Sequence, residues 1–193
     1  AAPPVPVSRP LLPPYGKLEP YLRRIDAARY YSNHGALWGE LRARLAAHFG
    51  IAAEHLTLAG SGTAALTGAI LAAAGRARPE RPLCLCPSYT FVATAAAAVA
   101  CGFTPHFIDV DPASWAAIPQ QVLREPELQR AGLILPAAPY GRPVDYRAWE
   151  KLQAETKIPV VIDAAGCFDN VAATQLGNGT VPVAISLHAT KTF

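Results

Sequence analysis

The stretch 82-PLCLCPSYTFVATAAAAVACG-102 decides the fold class. Pro82–Cys86 is a short apolar run closed by Pro87, too brief for a helix, and reads as a strand buried on both faces. The turn Pro87-Ser88-Tyr89 follows, and Thr90–Ala100 reads as a helix closed by Gly102. Downstream the alternation repeats. Pro105–Val110 reads as a strand, Pro119–Arg130 as a helix and Leu133–Leu135 as a strand. Asp145–Thr156 reads as a helix with Asp145 as N-cap, followed by the strand Pro159–Ile162 that ends on Asp163. A last strand, Val181–Leu187, leads into His188-Ala189-Thr190-Lys191.

Upstream, Leu56–Ala59 reads as a strand running into Gly60-Ser61-Gly62-Thr63, and Ala64–Ala74 as a buried helix ending at Gly75. Leu37, Leu41, Leu45 and Phe49 recur at four-residue spacing and stop at Gly50, the pattern of an amphipathic helix with a glycine cap. Residues 1–14 hold Pro3, Pro4, Pro6, Pro10, Pro13 and Pro14, which favour an extended arm; with its lead-in this arm covers 1–30. Residues 31–193 then form one α/β domain with a mainly parallel sheet covered on both faces.

Composition narrows the function. With 193 residues, 51% hydrophobic and 16% charged, the chain has ample apolar surface for a core. The 17 Lys+Arg against 14 Asp+Glu give +3, and no basic run is long enough to suggest nucleic acid or an anionic membrane as partner. Cys84, Cys86, Cys101 and Cys167 show neither CxxC nor zinc spacing, so no metal is expected, and reduced thiols in a cytoplasmic protein are the simplest reading.

In parallel α/β sheets ligands sit beyond the carboxyl ends of the strands. Gly60–Thr63, opening a helix, offers free amides and hydroxyls that suit a phosphate, or equally a tight turn with close helix packing. Asp163 at a strand end could partner a protonated ring nitrogen of a cofactor, or serve as an N-cap or salt-bridge residue. Lys191, among apolar and hydroxyl groups near Ser186, could form a Schiff base or stand on the surface. Phe91 could stack on a planar ring or fill the core. Together, in this chain order, the four features match a pyridoxal 5'-phosphate site.

The stretches Tyr31–Gly35, Gly60–Leu66, Pro87–Thr94, Phe107–Pro112, Asp163–Ala165 and Ser186–Lys191 closely resemble the DegT/DnrJ/StrS sugar aminotransferases, from about Tyr30 to the end. The resemblance implies the three-layer α/β/α large domain of a fold type I pyridoxal-phosphate enzyme. It implies transfer of an amino group, usually from glutamate, to a keto group on a nucleotide-linked deoxysugar, in a homodimer with shared active sites. Lys191 would be the Schiff-base lysine and proton carrier, and Asp163 the partner of the pyridinium nitrogen. Gly62, Thr63 and Ser186 would hold the phosphate and Phe91 would stack on the ring. Asn33 and His188 would lie near the sugar nucleotide. His-Ala-Thr-Lys looks more like members acting at sugar C-4 than the Tyr-Pro-Gly-Lys form of those acting at C-3. Lys191 sets the chain apart from the family's dehydratase branch, which has histidine there. Lipopolysaccharide, O-antigen and antibiotic sugar synthesis all fit.

Two departures stand out. Three residues after the aspartate the family often has a glutamine for the cofactor's phenolic oxygen, where this chain has Gly166. The sequence also ends at Phe193, whereas family members are about twice as long, so a fragment or half-chain is expected. A non-catalytic half-chain, and a fold type I enzyme acting on amino acids, are the competing readings.

Overall fold

The computed structural model describes residues 4–6, 9–171 and 179–191. Five parallel strands organise them: β1 Leu83–Pro87, β2 Thr104–Ile108, β3 Ala131–Ile134, β4 Ile162–Asp163 and β5 Val183–Ala184. β1 pairs with β2 on one side and β3 on the other, while β4 pairs with β5. Parallel bridges Ile134↔Val160 and Ala137↔Asp163 join the two groups. The resulting order, β2-β1-β3-β4-β5, reverses direction at β1, the kind of switch point beyond whose strand ends ligands bind in such sheets.

Six α-helices are described: α1 Tyr15–Ala28, α2 Ala36–Phe49, α3 Gly62–Ala73, α4 Val92–Ala100, α5 Pro119–Val122 and α6 Tyr146–Thr156. The strand side chains alternate between two cores. Cys84 and Cys86 of β1 join Leu66 and Ile70 of α3 and Ala97 and Ala98 of α4 on one face. Leu85 joins Val122 of α5 and Trp149 and Leu152 of α6 on the other. This is the expected three-layer α/β/α arrangement. Each fully buried large side chain stabilises it by about 1.5–3 kcal/mol relative to exposure. The four cysteines are buried and free of disulfides. Among the described residues no helix is long and apolar enough to cross a membrane, and no cluster of His, Cys, Asp and Glu could hold a metal ion.

Local signals place several elements as read. Asp145 caps α6, its Oδ1 accepting from the Ala148 amide at 3.1 Å, and Gly50 ends α2 with φ +65°. Four readings need correction. Leu56–Ala59 is an extended connection without a strand partner; the Arg42 guanidinium donates to the carbonyls of Ala53 and Leu56, occupying acceptors a ladder would need. The helix expected over 119–130 ends at Val122 and resumes as a 3-10 turn at Leu128–Arg130, because Pro126 lacks an N–H and disfavours helix at Glu125. The last strand pairs only at Val183–Ala184, opposite the equally short β4, rather than over 181–187. Within the lead-in, residues 15–28 form α1, starting directly after Pro14. Pro20, which removes one interior hydrogen bond, masks that helix in the sequence. The stretch 172–178, Ala1–Pro3, Val7, Ser8 and the final two residues lie outside the described residues.

Candidate cofactor site

Two segments meet at the carboxyl end of the sheet, and a third follows Ser186 in the chain. The first is the start of α3. Ser61 is its N-cap, its Oγ accepting from the Ala64 amide at 3.1 Å, which leaves the amides of Gly62 and Thr63 without intrahelical acceptors. Ser186, two residues beyond β5, stands directly against this turn. A Cβ built on Gly62 would lie 3.0 Å from Ser186 Cβ and 3.1 Å from Ser186 Oγ, so any side chain there would crowd Ser186. The dipole end of a 12-residue helix, its first two amides and the neighbouring Ser186 hydroxyl form a cradle suited to a phosphate.

The second segment is the end of β4. Asp163 is 9% exposed. Its Oδ1 accepts from the Ala165 amide at 3.1 Å and its Oδ2 from Thr94 Oγ1 at 2.7 Å. Thr94 belongs to α4, whose N-cap is Phe91. Phe91 is 73% exposed, so it stands at the surface rather than filling the core. The β4–β5 pairing sets Asp163 opposite Ala184, with the Ala164 amide donating to the Ala184 carbonyl at 2.9 Å. That register connects the carboxylate to the strand carrying Ser186.

The third segment is the turn His188–Lys191, closed by the Lys191 amide donating to the His188 carbonyl at 2.8 Å. Lys191 is exposed. His188 Nδ1 accepts from the Thr190 amide at 3.3 Å and lies 2.9 Å from Thr190 Oγ1. An accepting Nδ1 puts the proton of the neutral ring on Nε2. Asn33 lies on the bend before α2, where its carbonyl accepts from the Tyr30 hydroxyl at 3.0 Å; this contact is local and does not join it to the strand-end groups.

Two features escaped the sequence reading. Thr94 is one, a fully buried threonine in a helix otherwise of alanine and valine. The other is an aromatic cluster beside the site. Tyr89, Trp115 and Tyr140 pack with centroids 5.7–6.2 Å apart, and the Tyr89 and Tyr140 hydroxyls are 2.6 Å apart. Tyr140 and Gly141 both have positive φ, 49° and 77°, and Gly141 packs on the backbone of Gly166. That turn fills the space a side chain at 166 would enter.

The chain belongs to the DegT/DnrJ/EryC1/StrS aminotransferase family. Its family model matches residues 17–193. A Mycobacterium tuberculosis relative, Protein Rv3402c, is 34% identical over 99% of this chain and 47% of its own length. The dTDP-4-amino-4,6-dideoxy-D-glucose transaminase of Shigella dysenteriae is 31% identical over 98% of this chain and 50% of its own length. The crystal structure of DesI in the presence of its TDP-sugar product superposes with a TM-score of 0.80 at 30% identity, covering 97% of this chain and 46% of that one. The chain thus spans about half the length of the relatives it matches. The family is one of pyridoxal-phosphate-dependent aminotransferases, and the Gly62–Ser186 cradle and the strand-end carboxylate in this structure fit that cofactor.

Proposed function

We propose that the chain provides the cofactor-holding half of a transaminase that moves an amino group from glutamate to a keto group on a nucleotide-linked deoxysugar, at sugar C-4. The observation that carries this reading is the close contact of Gly62 with Ser186 and the Asp163 carboxylate at the ends of the adjacent, paired strands β4 and β5. When bound, pyridoxal phosphate supplies an electron sink for the carbanion formed at the amino carbon. The amides of Gly62 and Thr63, with Ser186 Oγ, bind the phosphate. Asp163 keeps the ring nitrogen protonated. Phe91 covers one ring face. Lys191 Nζ would carry the proton that the amino transfer requires. His188 Nε2–H is a donor available to a sugar hydroxyl.

C-4 is favoured by the His188-Ala189-Thr190-Lys191 sequence and by the name of the Shigella relative. A homodimer with shared active sites accords with the family resemblance. The test is borohydride reduction of the full gene product with pyridoxal phosphate, followed by peptide mapping and assays of keto-sugar nucleotides with glutamate. One reduced adduct on Lys191, absent in Lys191→Ala, and amino-sugar formation are expected. An adduct elsewhere, or amino transfer only between amino and keto acids, would overturn the reading.

A further inference from the structure

Asp163 is held by a chain of two hydroxyls, one fully buried and one half-buried, that the cofactor reading leaves without a role. Thr94 Oγ1 lies 2.7 Å from Asp163 Oδ2 and 2.7 Å from Thr90 Oγ1. Chemistry fixes the direction of this chain. An ionised carboxylate only accepts, so Thr94 gives its one hydroxyl proton to Asp163 and must accept from Thr90. Each donation polarises and strengthens the next.

Other helical threonines here behave differently. Thr67 Oγ1 donates to the Thr63 carbonyl at 2.9 Å and Thr156 Oγ1 to the Leu152 carbonyl at 2.8 Å, both four residues back, the usual outlet for a hydroxyl inside a helix. Thr94 instead reaches across to a strand 69 residues away. The half-buried Ala165 amide holds the opposite oxygen, so turning the carboxylate would break that bond and the one from fully buried Thr94.

We propose that Thr94, oriented by Thr90, is a positioning residue that fixes the plane of the Asp163 carboxylate toward the ring nitrogen of pyridoxal phosphate. The proposal rests on the reading of Asp163 given above, and it concerns the orientation of that carboxylate rather than the substrate.

The test compares, in the full gene product, the dissociation constants of pyridoxal phosphate and of its 1-deaza analogue, which has CH in place of the ring nitrogen. Phosphate, stacking and aldehyde contacts are common to both, so the ratio reports the nitrogen contact. Wild type should favour pyridoxal phosphate. Thr94→Val, nearly isosteric, should shrink that preference about fivefold, the equivalent of one ordinary hydrogen bond. Thr94→Ser should restore it, and Thr90→Val should reduce it less. An unchanged ratio in Thr94→Val, with wild type discriminating, would overturn the proposal alone. Equal binding of both compounds by wild type, or a wild-type ratio in Asp163→Asn, would overturn the reading of Asp163 and the proposal with it. Should Thr94→Val fail to fold, Thr90→Val carries the test, and an unchanged ratio there overturns the proposal.

Discussion

Tyr146 and Val181 are joined twice through one hydroxyl, which donates to the Val181 carbonyl at 3.0 Å and accepts from the Val181 amide at 3.1 Å. Both residues are buried. The clamp ties α6 to the approach of β5, the strand that delivers Ser186. Tyr146→Phe keeps the ring but leaves a buried N–H and C=O unpaired, so stability should fall by about 1–3 kcal/mol in urea unfolding. Affinity for pyridoxal phosphate should fall with it. Unchanged stability would show that the clamp carries no net energy.

The approach of Gly62 to Ser186 leaves little room in the cradle for a methyl group. In Gly62→Ala the new Cβ would sit 3.0 Å from Ser186 Cβ, forcing the α3 turn and the Ser186 segment apart. Phosphate contacts shared between them should loosen, and the dissociation constant of pyridoxal phosphate should rise about tenfold, with little change in that of pyridoxal. Equal losses for both compounds would locate the phosphate elsewhere.

Gly166→Gln, which installs the side chain often found at that position in the family, should destabilise this chain. A Cβ at 166 would lie 3.0 Å from the Gly141 amide nitrogen, within a turn whose Gly141 already needs φ +77°. Displacing that turn separates the Tyr89 and Tyr140 hydroxyls. A loss of about 1–3 kcal/mol is expected in thermal or urea unfolding. Wild-type stability would mean that the turn yields without cost.

Cys167 gives the chain a pH dependence on the alkaline side. Burial, followed by the nearby Asp163 charge, pushes its thiol from 9.0 up to about 11. A raised folded pKa means the native state keeps its proton while the unfolded state loses it. The contribution is therefore fully present below pH ~9 and is lost as pH rises through about 11, by at most ~3 kcal/mol. The melting temperature should fall across this window more steeply in wild type than in Cys167→Ala. Parallel curves would show that other groups control the alkaline limit.

The helices α2, α3, α4 and α6 were readable because their signals are local: apolar spacing, Ser61 and Asp145 as caps, Gly50 as a stop. The strand-end position of Asp163 was readable for the same reason, whereas Ser186, read as lying inside a strand over 181–187, falls two residues beyond β5 because the pairing stops at Ala184. α1 was hidden by Pro20, and the helix over 119–130 was overextended across Pro126, in both cases because a proline's effect depends on where in a turn it falls. At Leu56 the competition between Arg42 and a strand partner for the same carbonyl is a long-range matter that no window shows.

The sequence by itself determined which chemical groups stand at the carboxyl ends of the strands, because strand periodicity, capping and turn residues act over a few positions. Only the tertiary structure decided which of those groups meet. The β2-β1-β3-β4-β5 order places Ala184 opposite Asp163, Gly62 against Ser186 and Thr94 under the carboxylate. Those pairings span many tens of residues and arise because burying two apolar faces at once admits few arrangements of strands and helices.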